Sequence, residues 1–165
     1  MPRRLARIAA LAVGEGRGEE QLLRHIKALY LPRGCGVTLK VKAALGKGGK
    51  GVLDYTVSFS DGIDYDRRIV LLDTDANWDA EQRARAVQEG IDVVESDPCL
   101  EAWLLAIHGV NRGIDSAACK RKFRKQFGCD AHDDHVYSTH FPRAQLDAAR
   151  QSVATLHRLL SLLDV

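Results

Sequence analysis

The sequence predicts an α/β protein, with a parallel sheet of about four strands flanked by helices and a helical C-terminal extension. Apolar runs alternate with segments of helical spacing through the first two thirds of the chain, in the order expected of a parallel sheet. The run 69–72 is apolar without a polar break, which suits a strand covered on both faces. We therefore expect an α/β core at 1–110, and a basic and amphipathic helical extension at 111–165 within the same compact domain.

The first half of the core contains three predicted elements before the central strand. An apolar run at 5–13 predicts a buried strand that enters a glycine-rich turn, and apolar residues at helical spacing then predict a helix from about 18 to 30. At 37–43, Val37, Leu39 and Val41 alternate with polar residues, which predicts a half-exposed edge strand.

The second half of the core continues the alternation after the central strand at 68–72. We expect a helix at 80–90 that Gly90 ends, a short strand at 91–95, and a helix at 99–108. Ser96, Asp97 and Pro98 resemble a helix start, with a capping residue and proline at the first helical position. In the last helix, Trp103 is expected in the core, and His108 is expected to be a structural histidine at the helix end.

The C-terminal extension contains two predicted helices, a basic one at 117–127 and a long amphipathic one at 145–163. The apolar stripe of the long helix alternates steps of three and four and comprises Leu146, Ala149, Val153, Leu156, Leu160 and Leu163. Such a stripe usually packs on the core, and the alternative is a two-helix homodimer seam.

The composition of the 165 residues, 45% hydrophobic and 28% charged, is typical of an ordinary soluble protein. The sequence predicts no signal peptide and no membrane span, and four scattered cysteines suit reduced thiols, so we expect a cytoplasmic protein.

The net charge of +2 conceals an asymmetry: residues 54–101 hold 13 acidic residues and four arginines, whereas 112–125 hold six basic residues and one acidic one. An acidic centre beside basic flanks fits a metal site that acts on a phosphate-bearing polymer, and it equally fits a solvated basic helix.

Carboxylates follow three of the predicted strands. Because parallel strands deliver their carboxyl ends to the same edge of a sheet, ligands bind there and the following side chains should lie close together. They are Glu15 and Glu19 after the first strand, Asp73 and Asp75 after the third, and Ser96 and Glu101 after the fourth. Converging carboxylates repel one another unless a cation lies between them, and oxygen ligands suit Mg²⁺ or Mn²⁺. A solvated turn is the alternative for the Asp-Thr-Asp pair alone.

These segments resemble the RloB-like family of small Toprim-fold proteins, which are related to the nuclease domains of the OLD family. The resemblance covers about residues 5–108 and rests on VGEGRGE at 13–19, on the apolar strand into Asp-Thr-Asp at 73–75, and on ESDPCLEAWLL at 95–105. The family usually has threonine where this chain has Gly18. The resemblance implies a Toprim/Rossmann-like sheet and a Mg²⁺- or Mn²⁺-dependent nuclease that acts in phage defence beside a partner ATPase.

The same resemblance implies roles for the acidic residues. One or two ions would be held by Glu15, Glu19, Asp73, Asp75 and Glu101, and catalysis would depend on Glu15, Asp73, Asp75 and Glu101. Ser96 would help to orient a ligand or water. Related nucleases also place a lysine near the scissile phosphate, and no motif selects among Lys120, Lys122 and Lys125.

Nucleic acid is the expected partner, bound through the basic residues Arg17, Lys47, Lys50, Lys120, Lys122 and Lys125. The run GKGGKG at 46–51 lacks the spacing and the hydroxyl of a nucleotide-binding phosphate loop. It is either a flexible cationic loop that touches phosphates or a plain linker.

Two alternatives compete with the nuclease. A haloacid-dehalogenase-like phosphatase also has an apolar strand into Asp-x-Asp, with the first Asp as nucleophile, but it gives Glu15 no role. The second alternative is a non-catalytic module that binds nucleic acid or a partner, with zinc held by ligands in the segment 129–140. The candidate zinc ligands are Cys129, His132, His135 and His140.

Overall fold

A parallel four-stranded sheet forms the centre of the computed structural model, which describes residues 7–165. The strands are β1 (Ile8–Gly14), β2 (Val37–Ala43), β3 (Arg67–Asp73) and β4 (Asp92–Ser96), in the spatial order β2-β1-β3-β4. All neighbouring pairs are parallel. The predicted α/β class and edge position of β2 are confirmed, whereas residues 5 and 6 of the predicted first strand lie outside the described residues.

Helices connect the strands and cover both faces of the sheet. Those of the core are α1 (Arg17–Tyr30), α2 (Gly48–Ser60), α3 (Ala80–Gln88) and α4 (Leu100–Ile107). Those of the C-terminal part are α5 (Ser116–Phe127), α6 (Val136–His140), α7 (Arg143–Ala149) and α8 (Ala154–Leu162). Apolar residues of α1, α4 and the C-terminal helices form one core on one face, and residues of α2 and α3 contribute to a second core on the other.

The strand order reverses between β1 and β3. The chain leaves β1 through α1 to reach β2 on one side, and it leaves β3 through α3 to reach β4 on the other side. In open α/β sheets, ligands bind in the crevice at such a topological switch point, beyond the carboxyl ends of the strands. Glu15 follows β1 and Asp73 ends β3, so the fold places the acidic side chains at the ends of the first and third strands at this crevice.

The C-terminal prediction of one long helix is wrong. The chain turns at residues 150–153 and forms two helices, α7 and α8, and the hydroxyl of Ser152 donates to the carbonyl of Ala149 at 3.1 Å. All six residues of the predicted apolar stripe are buried in the chain's own core, so this stripe is not exposed to form a dimer seam.

The predicted start of helix α4, with Ser96 as its capping residue, is also wrong. Ser96 still belongs to β4 and is paired with Asp73, so the backbone stays extended and the cap position falls on Cys99, after a cis Asp97–Pro98 peptide.

The expected loop or linker at 46–51 is instead the ordered start of α2. The amide of Gly49 donates to the carbonyl of Ala76 at 3.1 Å, and the amide of Lys50 donates to that of Asn77 at 3.1 Å. A Cβ on Gly49 would lie 2.6 Å from Trp78 Cε3, so glycine permits this close contact. These two helix-start amides are therefore not free to bind a phosphate, and the segment is not a flexible linker.

The core and the C-terminal extension share one hydrophobic cluster, which contains Leu22 and Ile26 of α1 together with Phe123, Phe141 and Leu156 from beyond residue 110. None of the described helices is long and apolar enough to cross a membrane.

Candidate metal centre and active site

A cavity of about 520 Å³ lies at the carboxyl edge of the sheet, beside the switch point. Four of the five predicted metal ligands line it: Glu15, Glu19, Asp73 and Glu101. The opposite wall comes from the C-terminal extension and includes Lys120, Arg124, Asp130 and His132. The structure therefore brings together carboxylates that are up to 86 residues apart in sequence, between 15 and 101.

Close backbone packing fixes the positions of Glu15 and Glu19. A Cβ on Gly14 would lie 2.6 Å from the Cβ of Glu19, so glycine lets the end of β1 meet the first turn of α1. Glu19 Oε2 accepts a hydrogen bond from the amide of Gly16 at 3.0 Å, as the acidic residue of a capping arrangement does. One carboxylate oxygen of Glu19 is thus used at the start of the helix.

Glu15 and Asp73 are joined directly. The amide of Asp73 donates to Glu15 Oε2 at 2.8 Å, and the amide of Glu15 donates to the carbonyl of Leu71 at 3.0 Å. These bonds extend the β1–β3 pairing past the last strand residue and hold the two carboxylates at the same edge. Asp73 Oδ1 is buried and has no hydrogen-bond partner. A buried carboxylate oxygen without a donor is unfavourable in a folded protein unless a ligand or cation satisfies it.

The carboxylates raise one another's pKa values. Burial, followed by the charges of Glu19 and Glu15, raises the pKa of Asp73 to about 9. Burial is also the main cause that raises the pKa of Glu19 to about 7, and the Glu15 charge adds to it. The pKa of Glu15 is raised by burial, although its bond from the Asp73 amide opposes the shift. The site therefore disfavours its own negative charge, and a cation bound there would relieve this cost.

Asp75 and Ser96 occupy positions different from those expected. Asp75 is exposed, does not line the cavity, and accepts a hydrogen bond from the hydroxyl of Ser116, although its charge still raises the pKa of Asp73. Ser96 is fully buried, and its hydroxyl accepts a hydrogen bond from Trp103 Nε1 at 2.8 Å. The expected role of Ser96 in orienting a ligand is wrong, because its side chain belongs to the core.

Lys120 is the lysine that the structure selects near the acidic cluster. It lines the cavity. Partial burial lowers the pKa of Lys120, but the negative charges of Glu101 and Asp73 outweigh this effect, so the pKa is raised overall. Lys122 instead donates to the carbonyls of Asn111 at 3.2 Å and Arg112 at 3.3 Å, outside the cavity. Lys125 does not line the cavity either.

Of the other basic residues expected to bind nucleic acid, Arg17 and Lys47 lie at or beside the cavity and Lys50 does not line it. Arg17 lines the cavity and is exposed, and Lys47 is exposed beside it, next to the cavity-lining Gly46. Lys50 forms an ion pair with Asp54 at 2.8 Å. Arg124, which the sequence analysis did not single out, also lines the cavity and pairs with Asp130 at 2.7 Å.

Gly18 lies where the C-terminal extension packs on the first turn of α1. A Cβ at this position would lie 3.1 Å from Leu100 Cδ2 and 3.4 Å from the carbonyl oxygen of Ala131. The hydroxyl of Tyr137 also donates to the carbonyl of Gly18 at 3.0 Å. The C-terminal extension packs directly on this turn, which leaves little room for threonine.

The zinc ligands expected in 129–140 are not gathered around one point. Within residues 7–165, the three His, Cys, Asp or Glu ligand atoms that all lie within 4.8 Å of one another belong to Asp130, His132 and Asp133. Of the expected four, this group contains His132 alone. His140 packs its ring on Phe127, with centroids 4.9 Å apart, and its carbonyl contacts the ring of His108 at 2.7 Å. The structural roles expected for His108 and Trp103 are confirmed by this contact and by the burial of Trp103.

The five acidic side chains do not form such a tight group among the described residues. Glu15 and Glu19 each direct one oxygen to a backbone amide, which fixes the positions of their carboxylates. Mg²⁺ typically takes one or two carboxylates and completes its octahedron with water and substrate phosphate. The cavity fits that mode of binding, and among the predicted ligands that line it, Asp73 and Glu101 have no backbone amide donor within the described residues.

Searches against protein-family models, curated proteins and solved structures found no match for this chain.

Proposed function

We propose that the protein is a divalent-metal-dependent nuclease of Toprim type that hydrolyses phosphodiester bonds in DNA or RNA. The observation that carries the proposal concerns Asp73, whose Oδ1 is buried without a hydrogen-bond donor and whose side chain lines a cavity together with Glu15, Glu19 and Glu101. An acidic cavity of this kind suits a divalent cation, and the basic side chains on its other wall suit a phosphate.

The chain's own residues support a division of roles. Asp73 and Glu101 would hold Mg²⁺ or Mn²⁺, with Glu19 contributing after its capping bond is released. A bound ion would supply positive charge at the phosphate and lower the pKa of an attacking water.

Glu15 would act as the proton-transferring group. One of its oxygens is fixed by the Asp73 amide, and burial raises its pKa above that of an ordinary glutamate, which favours proton transfer. The same bond positions Glu15 beside the end of β3. A phosphatase with Asp73 as nucleophile gives this bond no role in the reaction.

Lys120 would stabilise negative charge on the phosphate. Its position on the opposite wall and its raised pKa favour a permanently charged ammonium group facing the carboxylates. Exposed Asp75 would act through its charge, because its carboxylate is bound to Ser116 and lies outside the cavity wall.

The resemblance to RloB-like proteins, a role in phage defence and a partner ATPase belong to the same proposal. They rest on the motifs at 13–19, 73–75 and 95–105. No separate surface on the chain is assigned to an ATPase.

The test is incubation of the purified protein with supercoiled plasmid, single-stranded DNA and RNA, each with Mg²⁺, Mn²⁺ or EDTA. We expect cleavage of at least one polymer that requires the divalent ion and is lost in Glu15→Gln and Asp73→Asn. Hydrolysis of a small phosphate monoester through a covalent intermediate on Asp73, with Glu15→Gln fully active, would establish the phosphatase alternative instead. No metal-dependent cleavage of any polymer would reject the nuclease.

A further inference from the structure

A row of basic side chains follows the edge strand β2. Lys40 and Lys42 are two residues apart, so they project from the same face of the sheet. Their Nζ atoms lie 5.1 Å and 5.3 Å from the centroid of the Phe59 ring on α2. Neither lysine forms an ion pair with a carboxylate of residues 7–165.

The row begins at a basic cleft at the opposite edge of the sheet from the acidic cavity. This cleft, of about 320 Å³, lies at the amino end of β2 and is lined by Arg7, Lys27 and Arg33 without any carboxylate. Within the described part of the chain, none of these three side chains is paired with an acidic residue.

The row ends at the acidic cavity. Lys47 is exposed in the connection that follows β2, and its neighbour Gly46 lines the cavity and donates its amide to the carbonyl of Glu15 at 3.0 Å. Basic side chains therefore lie at both ends of the edge strand and, along its length, on the face that meets α2.

The length of this row matches a nucleic-acid strand. Seven residues of β2 span about 23 Å, and one strand of B-form DNA rises about 3.4 Å per nucleotide. The edge strand is thus as long as about seven nucleotides. Lys40 and Lys42 are about 6.6 Å apart along the strand, which corresponds to about two nucleotides.

The basic side chains of helix α5 are less available to bind phosphates than the sequence alone indicates. Lys122 is bound to two backbone carbonyls and Arg124 is paired with Asp130, so each would have to release a partner to contact a phosphate. Lys40, Lys42 and Lys47 have no carboxylate partner among the described residues to release.

We propose that Arg33, Lys40, Lys42 and Lys47 bind the backbone phosphates of the nucleic-acid strand whose scissile phosphate enters the acidic cavity. The substrate extends for about seven nucleotides along β2, on one side of the cleaved bond. This inference rests on the proposed nuclease function and adds the path of the substrate. An alternative role for Lys40 and Lys42 is to prevent β2, as an edge strand, from pairing with the sheet of another molecule. That role does not involve nucleic acid.

The test compares Lys40→Ala/Lys42→Ala with the charge-matched control Arg150→Ala/Arg158→Ala, whose side chains lie on the α7–α8 side of the molecule. Binding of fluorescent single-stranded and duplex oligonucleotides is measured by anisotropy with Ca²⁺, over about 50–200 mM salt. We expect the log–log salt slope for duplex to be less steep by about 1.8, and the affinity at the lowest salt to fall about tenfold. The control should bind as wild type does.

A charge-preserving variant separates phosphate contact from packing on Phe59. Lys40→Arg/Lys42→Arg should restore both the slope and the affinity, because arginine retains the charge. Three outcomes would overturn the substrate path while leaving the nuclease proposal intact. They are wild-type affinity in the alanine variant, a loss of affinity without a change of the salt slope, and a failure of the arginine variant to restore binding. Absence of any nucleic-acid binding by the wild-type protein would overturn the proposed function itself.

Discussion

Asp73→Asn tests the acidic cavity through two opposite effects on stability. Because the pKa of Asp73 is raised to about 9 in the folded protein, the native state retains a proton that the unfolded chain releases near the ordinary pKa of 3.8. In EDTA, the contribution of Asp73 to stability should therefore be fully present below the ordinary pKa and should be lost as pH rises toward 9. Asparagine does not titrate, so the variant should escape this loss.

The magnitude follows from the size of the shift. One pKa unit corresponds to about 1.4 kcal/mol, and pH 7 lies about three units above the ordinary pKa, which sets an upper limit of about 4 kcal/mol. Because the cavity is open to water, which screens the charges, we expect the variant to be about 1–3 kcal/mol more stable than wild type in EDTA at pH 7. The difference should shrink near pH 4.

Mn²⁺ should reverse the comparison. A ligand present at about 100 times its dissociation constant stabilises the folded state by about 2.7 kcal/mol, and wild type should gain this stabilisation while the variant gains little. Thermal unfolding across pH, with and without Mn²⁺, and calorimetric titration of Mn²⁺ measure both effects. Asp64→Asn, at an exposed position, is the control and should change stability by less than about 0.5 kcal/mol. A variant no more stable than wild type in EDTA, or with unchanged Mn²⁺ affinity, would refute the reasoning.

Three further predictions concern single side chains. Glu15→Gln should lower metal-dependent cleavage by about 10²–10⁴-fold without lowering the melting temperature in EDTA, and full activity in a plasmid assay would exclude Glu15 from the chemistry. Lys120→Ala should reduce the cleavage rate, whereas Lys122→Ala should leave it near wild type, because Lys122 contacts backbone carbonyls; equal losses in single-turnover assays would show that the cavity does not distinguish them. Ser96→Ala should leave Mn²⁺ affinity unchanged and lower the free energy of unfolding by about 1–3 kcal/mol, because Trp103 Nε1 loses its acceptor; weaker metal binding in calorimetry would restore Ser96 to the site.

The sheet could be predicted because its signal is local. A buried parallel strand needs a continuous apolar run, as at 69–72, and a half-exposed edge strand needs alternation, as at 37–43, so each signal lies within a few residues. The topological rule for parallel strands then sufficed to bring Glu15, Asp73 and Glu101 to one edge. Glu19 also joined the cavity, through the close approach that Gly14 permits.

The parts that failed depend on tertiary contacts. α2 begins with glycines that pack on Ala76 and Trp78, and no local pattern identifies a helix start whose amides are satisfied by a distant loop. The turn at 150–153 contains neither proline nor glycine, and the same apolar spacing continues on both sides of it.

The roles of some side chains could not be predicted because they depend on a partner that is distant in sequence. Ser96 occupies a motif position, yet its hydroxyl accepts a hydrogen bond from Trp103 in the core. Lys120 lines the cavity and Lys122 does not, which depends on the face of α5 that meets the cavity. The sequence signal for a site is thus the type and spacing of charges, whereas hydrogen-bond competition is visible only in the folded chain.

The wall of the cavity formed by the C-terminal extension has a consequence for how the protein is made. Lys120, Arg124 and Asp130 complete the cavity, and Tyr137 fixes the turn at Gly18 from a position near the end of the chain. During synthesis, every carboxylate of the centre leaves the ribosome before the residues that enclose it. The first 110 residues are therefore not a transplantable catalytic module: a fragment that ends there carries all five acids but neither the cation that faces them nor the surface that holds α1 in place.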